Sequence, residues 1–520
     1  MNFENQPDDS SSSERSEFSH SQYRPSGQTP GIVEAEVLGE QPGSPPQRQR
    51  LSVSGLLAWV LVLGFTGVLF FGVAISQFTT APQVGGDAST MELMQVQLQA
   101  KGIVAQRELS FMSGSVEVRS SAPEVLNAGP YEQRLCYSIL LNELEGAEKA
   151  NEYLDDLEDT VEVHELELTE DQLRLKSLVR DLIEQYESGN PDSSSVPEPD
   201  REFLESKLQW LGKLALFPVG TPQKTERSDV LSEATGILIT SLVGMLAGLA
   251  ACFLGFLLAI LFVVMLASRK VRSGFLFYGT DHNIYIETFA IWMLIFFGIS
   301  IALGWFDVVD PQYGLLLQPF IFFGSLIALV WPVVRGIPFS QVRQDIGWTA
   351  RNPIKEVLLA VPAYLTIIPF LIPGIILAAV LVSILSGVQE APEFARQVAP
   401  GHPIQDYIAE GGAATVFLIF LTACIAAPVV EETMFRGVLY RHLRGLTANW
   451  QRWASLLMAA IVNGVIFASI HPQGIFGVPM LTTLAIGFSF ARETRGSLVS
   501  PMVMHGIHNS LVTCVMLIIL

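Results

Sequence analysis

The residues best able to do chemistry in this chain sit where charge is least welcome. Glu431, Glu432 and Arg436 occur in PVVEETMFRGVLY (428–440), at the end of a long apolar run. His471 closes VIFASIH (465–471), and MVMHGIHNSL (502–511) carries His505, His508 and Asn509. An ionised side chain at the centre of a membrane helix costs roughly 2.5–3.5 kcal/mol on insertion scales, so such a set calls for a reason. Glu432 and Arg436 are spaced i and i+4, share a helix face and can pair. Glu431 is turned about 100° away and is left to point elsewhere. His505 and Asn509 have the same i and i+4 spacing and are aimed together from one helix. A carboxylate and two imidazoles meeting in a wet pocket suit hydrolysis. The carboxylate takes a proton from water and one imidazole orients that water. The second imidazole, with an amide, stabilises the oxyanion that develops as water attacks a carbonyl. The same His, His and Glu set with a water is also a catalytic zinc arrangement, with Glu431, His471 and His505 as ligands.

Depth allows the meeting. At 1.5 Å per residue, Glu431 and His471 lie about 22 and 30 Å from the turn that joins their helices, and His505 about 15 Å beyond Arg495. Each residue also has a plain structural reading. Glu432 with Arg436 makes a structural ion pair, and His471 before Pro472 sits at a helix end. His508 is a bystander of His505, and a lone membrane Asn hydrogen-bonds between helices. The case for chemistry is their joint occurrence within 79 residues.

The elements that must position these groups are membrane helices. The 520 residues are 50% hydrophobic and only 16% charged, below the quarter usual in soluble proteins. Spans are expected near 56–75, 233–267, 284–304, 315–334, 357–386, 412–440, 453–471, 476–492 and 497–519, about nine in all. The fold class is therefore an all-α polytopic membrane protein with a small, mainly helical extramembrane domain and a disordered N-terminus. Residues 1–50 read as a disordered cytoplasmic tail, 51–78 as an uncleaved signal anchor and 79–230 as an acidic, mainly helical extramembrane domain. Residues 231–355 supply additional transmembrane helices, and 356–520 hold the three motifs. The net charge of −20 is concentrated between 81 and 230, with 29 acidic against 13 basic residues, which argues against nucleic acid as a partner. That segment shows helical spacing, with a short β element expected near VEVHELEL (161–168) and a linker at its exit, SGNPDSSSVPEPD (188–200). It either stands as a plain solvated domain or binds a protein partner. Basic residues in 268–272, 335–355, 441–452 and 491–495 alternate with acidic or mixed loops, which places the N-terminus in the cytoplasm and the acidic domain outside. Four scattered cysteines outline neither a disulfide framework nor a metal site.

The ordered motifs Glu431-Glu432-Thr433-Met434-Phe435-Arg436, Phe467-Ala468-Ser469-Ile470-His471 and His505-Gly506-Ile507-His508-Asn509 resemble the CPBP family, with Gly437 after the arginine as is often found there. That family takes in CAAX prenyl protease 2 of the Ras-converting type, lysostaphin resistance protein A-like proteins, and bacteriocin-processing and immunity relatives. The resemblance covers 356–520 and implies an intramembrane endopeptidase that cleaves near the cytoplasmic face, as in CAAX-box protein processing, here in a bacterial cytoplasmic membrane. By position it makes Glu431 the residue that activates water, assisted by His471, with His505 and Asn509 on the oxyanion side. Glu432, Arg436 and Phe467 take supporting places. Members have been described both as metalloendopeptidases and as glutamate-dependent enzymes, so the cofactor is either none or one divalent ion, zinc first. The partners implied are membrane lipid and a peptide or lipid-modified protein substrate. Two other classes compete: a proton-coupled carrier, since buried Glu and His also mark ion paths, and a non-catalytic scaffold or immunity protein on the same fold. No inverted repeat of broken helices supports the carrier. The marks of other membrane proteases are missing, the nearest to a zinc HExxH being His164-Glu165 without its second histidine.

Overall fold

A computed structural model describes residues 36–37, 51–79, 90–112, 130–163, 167–189, 192–275, 281–305, 311–350, 352–386 and 412–519. The expected disordered tail, except for residues 36–37, lies outside these, as do His164, Glu165 and the acidic or mixed loops at 306–310 and 387–411. The described chain is helical apart from one short antiparallel pairing, β1 (Glu36–Val37) with β2 (Arg272–Ser273).

Eight helices among the described residues are long and apolar enough to cross a membrane. They are α1 (Val53–Thr79), α7 (Lys224–Ala267), α8 (Asn283–Trp305), the joined pair α9 (Pro311–Ser325) and α10 (Val330–Val334), α12 (Pro353–Ser386), α13 (Ala413–Leu446), α14 (Arg452–Ser469) and α15 (Gly474–Arg495). The protein is an integral, multi-pass membrane protein. The ninth expected span is present as helix α16 (Val499–Ile519), but it falls outside the eight, and its first half carries His505, His508 and Asn509. Exposed Phe253, Leu254, Phe256, Leu257 and Ile260 give α7 a broad apolar outer face, as a helix set against hydrocarbon must have, while Gly255 and Ala259 are buried.

The acidic segment folds as helices α2 (Thr90–Met112), α3 (Tyr131–Leu144), α4 (Ala147–Val163), α5 (Glu170–Glu187) and α6 (Glu198–Leu216) around one apolar core. Two expectations need correction here. Val161, Glu162 and Val163 complete the last turn of α4 instead of forming a strand, and residues 164–166 lie outside the described set. The Ser/Pro-rich stretch is a connection inside the domain and not its exit. The α6 helix follows it and buries Leu204, Leu208, Leu211 and Leu214 in the same core, because its leucines recur at helical spacing. That core also takes in Val230 and Ala234 of α7, which runs on without a break into its membrane-spanning part. At 1.5 Å per residue its 44 residues extend about 66 Å, more than twice a ~30 Å hydrocarbon core.

At the other end of the bundle the four basic stretches come together. Gly274 donates its N–H to the Glu493 carbonyl, Arg441 pairs with Asp345 at 3.2 Å, and Arg495 pairs with Glu356 at 2.6 Å. Fully buried Glu493 accepts from Tyr440 Oη at 3.0 Å and from Arg444 at 3.0 and 3.2 Å. A buried carboxylate is tolerable only with such complete pairing. This network ties the C-terminal ends of α13 and α15 together, about three turns from the acidic pair of α13.

Candidate active site

The α13 helix is not regular. Two π-helical segments, Phe420–Ala426 and Thr433–Leu439, flank the short α-helical stretch Ala427–Glu432 that ends in the two glutamates. A π turn bonds i to i+5 and alters which carbonyls are available to other partners. Asn509 Nδ2 donates to the Ala423 carbonyl at 2.7 Å and Asn463 Nδ2 donates to the Phe435 carbonyl at 2.8 Å, one in each segment. Each asparagine thus braces one irregular stretch from a neighbouring helix. Asn463 escaped the sequence reading because its partner is a backbone carbonyl 28 residues away.

Glu432 and Arg436 pair at 2.9 Å with both side chains wholly buried, as their spacing predicts. The same Glu432 oxygen, Oε1, also accepts from His505 Nδ1 at 2.9 Å. Glu432 therefore joins the arginine to the histidine instead of serving α13 alone. The Arg436 guanidinium lies 4.6 Å from the Phe467 ring centroid and 5.3 Å from that of Phe488, so aromatic faces offset part of its desolvation. These rings also rack the imidazoles: Phe467 lies 4.2 Å from His471, and Phe488 stacks on His505 at 5.4 Å and 24°.

Glu431 points to the opposite side of this pair. Its Oε2 is buried without a hydrogen-bond partner among the described residues and stands 3.9 Å from both His471 Nε2 and His505 Nε2. The tautomers follow from the other ring nitrogens. His471 Nδ1 is 2.5 Å from the Phe467 carbonyl, which can only accept, so Nδ1 carries the proton. His505 Nδ1 likewise donates to the Glu432 carboxylate. In neutral imidazoles both Nε2 atoms are then lone-pair acceptors that flank the same carboxylate oxygen. A separation too wide for direct hydrogen bonds suits a bridging water that donates to Glu431 and one imidazole.

A family model described as "Type II CAAX prenyl endopeptidase Rce1-like" matches residues 413–511, which run from the start of α13 into α16. The chain carries an Rce1-like domain. Over 92 residues it is 30% identical to an "Uncharacterized 24.3 kDa protein" of Escherichia coli, a stretch that covers 17% of this chain and 40% of that protein. No solved structure matches. Rce1-like proteins form a protease family, and all four catalytic candidates, Glu431, His471, His505 and Asn509, fall inside the matched residues of the Rce1-like domain.

Within that domain Glu431, His471 and His505 are brought together, and Asn509 donates one amide N–H to the Ala423 carbonyl. His508 turns aside to Tyr364, with Nδ1 to hydroxyl at 3.0 Å. The donor set of Glu431, His471 and His505 has zinc-binding chemistry, and both Nδ1 protons are anchored as a zinc site requires. The spacing does not close on the metal. Bonds of 2.0–2.1 Å in a tetrahedron put ligand atoms about 3.3 Å apart, against 3.9 Å for both contacts of Glu431. Among the described residues no group of three or more His, Cys, Asp or Glu is arranged to hold a metal ion.

Close helix approach maintains the geometry. A Cβ on Gly506, next to His505, would stand 2.9 Å from the Cys424 carbonyl of the first π segment. Gly506→Ala is expected to push α16 off α13, at about 1–3 kcal/mol by overpacking. Activity should fall by ten-fold or more, which parallel melting and cleavage assays would show. Retained activity with an unchanged melt would mean that the interhelix distance is not critical.

Proposed function

We propose that this protein is an intramembrane endopeptidase in which Glu431 activates a water that His471 orients, with His505 beside them. The observation that carries this reading is the convergence of Glu431 Oε2 with two Nε2 atoms, each 3.9 Å away. Water bridging them donates one hydrogen to Glu431 and the other to His471 Nε2, which directs its oxygen lone pair at a scissile carbonyl carbon. As the C–O bond forms, the water proton passes to Glu431. As the C–N bond breaks, Glu431 returns it to the leaving amine. Asn509 has a second amide N–H beyond the one on Ala423, and that hydrogen serves the carbonyl oxygen as it becomes an oxyanion. His505 Nε2 flanks the Glu431 carboxylate, and Glu432 keeps the His505 ring in place.

The basic stretches gathered at one end support a cytoplasmic assignment of that end, and the site opens within about three turns of it. The substrate class is a membrane-associated peptide, prenylated or otherwise lipid-modified at its cysteine. The purified full-length protein in liposomes, given prenylated and unmodified membrane peptides, is expected to release a C-terminal fragment detectable by mass spectrometry. Failure to cleave either peptide, with the fold intact, would favour a scaffold role on the same fold.

Metal removal supplies a separate test. Since the trio is spaced for water, dialysis against a strong chelator is expected to leave the cleavage rate within about two-fold. A loss restored by added zinc would show that the three side chains close on a metal in the working enzyme.

A further inference from the structure

We propose that a cavity behind the site helix binds a membrane phospholipid with an anionic head group, through Arg343 and an apolar crevice between α13 and α16. The cavity holds about 560 Å³, within the range of small-molecule sites. Its floor is Val429 of α13 with Leu498 and, in α16, Val499 and Met502. Its wall is the short helix α11 (Phe339–Ile346) with Gly347 and Trp348. These residues lie at the end of the bundle where the basic stretches meet, since Leu498 N–H donates to the Gly347 carbonyl. On α13, Val429 is two residues from Glu431 and so faces nearly the opposite way. None of Glu431, His471 and His505 lines the cavity.

Charge decides the occupant. Arg343 is exposed, and among the described residues it has no side-chain partner and is the only ionisable group lining the cavity. A second cation, Arg492, packs against Gly347, which closes α11 with φ 87° and leaves no room for a Cβ. A free guanidinium at the mouth of an apolar crevice matches a phosphodiester head with its acyl chain, and in the cytoplasmic leaflet anionic lipid is the abundant form of that chemistry. The lipid would also bear on the site. Trp348, in the cavity wall, donates its indole N–H to Thr433 Oγ1 at 2.9 Å, and Thr433 begins the second π segment next to Glu432.

The test uses the full-length protein in detergent with phosphatidylglycerol or phosphatidylcholine added, and native mass spectrometry to count the lipids retained. Wild type is expected to retain phosphatidylglycerol about five-fold over phosphatidylcholine, the preference one well-placed cation supplies. Arg343→Gln should erase that preference, and Met502→Trp, which fills the crevice, should reduce retention of phosphatidylglycerol. Equal retention of both lipids by wild type would overturn the proposal, as would unchanged retention in both variants. Displacement of the lipid by a prenylated peptide with a free C-terminal carboxylate, but not by its amide, would assign the cavity to substrate instead. Because the readout is bound lipid and not cleavage, failure here leaves the protease reading intact.

Discussion

Glu431→Gln is expected to lower kcat by about 10²–10⁴-fold, the contribution of a positioned general base, while KM stays within a few-fold. The substitution keeps the shape of the side chain and removes its basicity. It leaves the group beside the two Nε2 atoms unable to take a proton from the water. Stability should move the other way. A carboxylate in a largely buried site is costly to keep charged, so the neutral variant is expected to melt at or above the wild-type temperature. Activity within two-fold of wild type would remove Glu431 from the chemistry. A lower melting temperature together with lost activity would show a structural role. Loss of activity with retained or raised stability is the result that supports a base.

Glu432→Ala is expected to be the most destabilising single substitution near the site, at about 3–5 kcal/mol. It leaves Arg436 fully buried with no carboxylate, and the Nδ1 proton of His505 with no acceptor. Arg436→Met should cost a comparable amount through the uncompensated Glu432. Joining Glu432→Met to Arg436→Met replaces the whole pair with apolar volume, which for buried ion pairs is often nearly neutral. The double variant should thus recover most of the stability, a strong coupling in a double-mutant cycle. It should not recover activity, since the His505 ring has lost its anchor. Recovery of both would mean that Glu432 serves only to neutralise Arg436.

What could be read from the chain follows from where each cause acts. The cost of charge in lipid is local, so Glu431, Glu432, Arg436, His471 and His505 stood out at once. The Glu432–Arg436 pair is fixed by helical spacing and was legible for the same reason. The bond from His505 to Glu432 spans 73 residues and depends on how two helices are rotated about their axes, which hydropathy does not encode. The partner of Asn509 is a main-chain carbonyl, and no side-chain pattern points to one. Likewise the π segments of α13 differ from regular helix only in backbone bonding, while the apolar run that contains them looks uniform. In the acidic segment, composition marked SGNPDSSSVPEPD as unstructured, but the packing of Leu204 and Leu208 beyond it kept the chain in the same core.

The unbroken α7 helix makes the acidic domain and the bundle mechanically one object. A hinge between them would let the domain drift in a cone about its tether. A stiff shaft instead holds it at a set height and azimuth over the membrane. Each residue inserted in the exposed part of α7 would turn the domain by about 100° and raise it by 1.5 Å. Two added residues would present a different face of the domain to whatever approaches the bundle. Four would nearly restore the bearing at about 6 Å greater height.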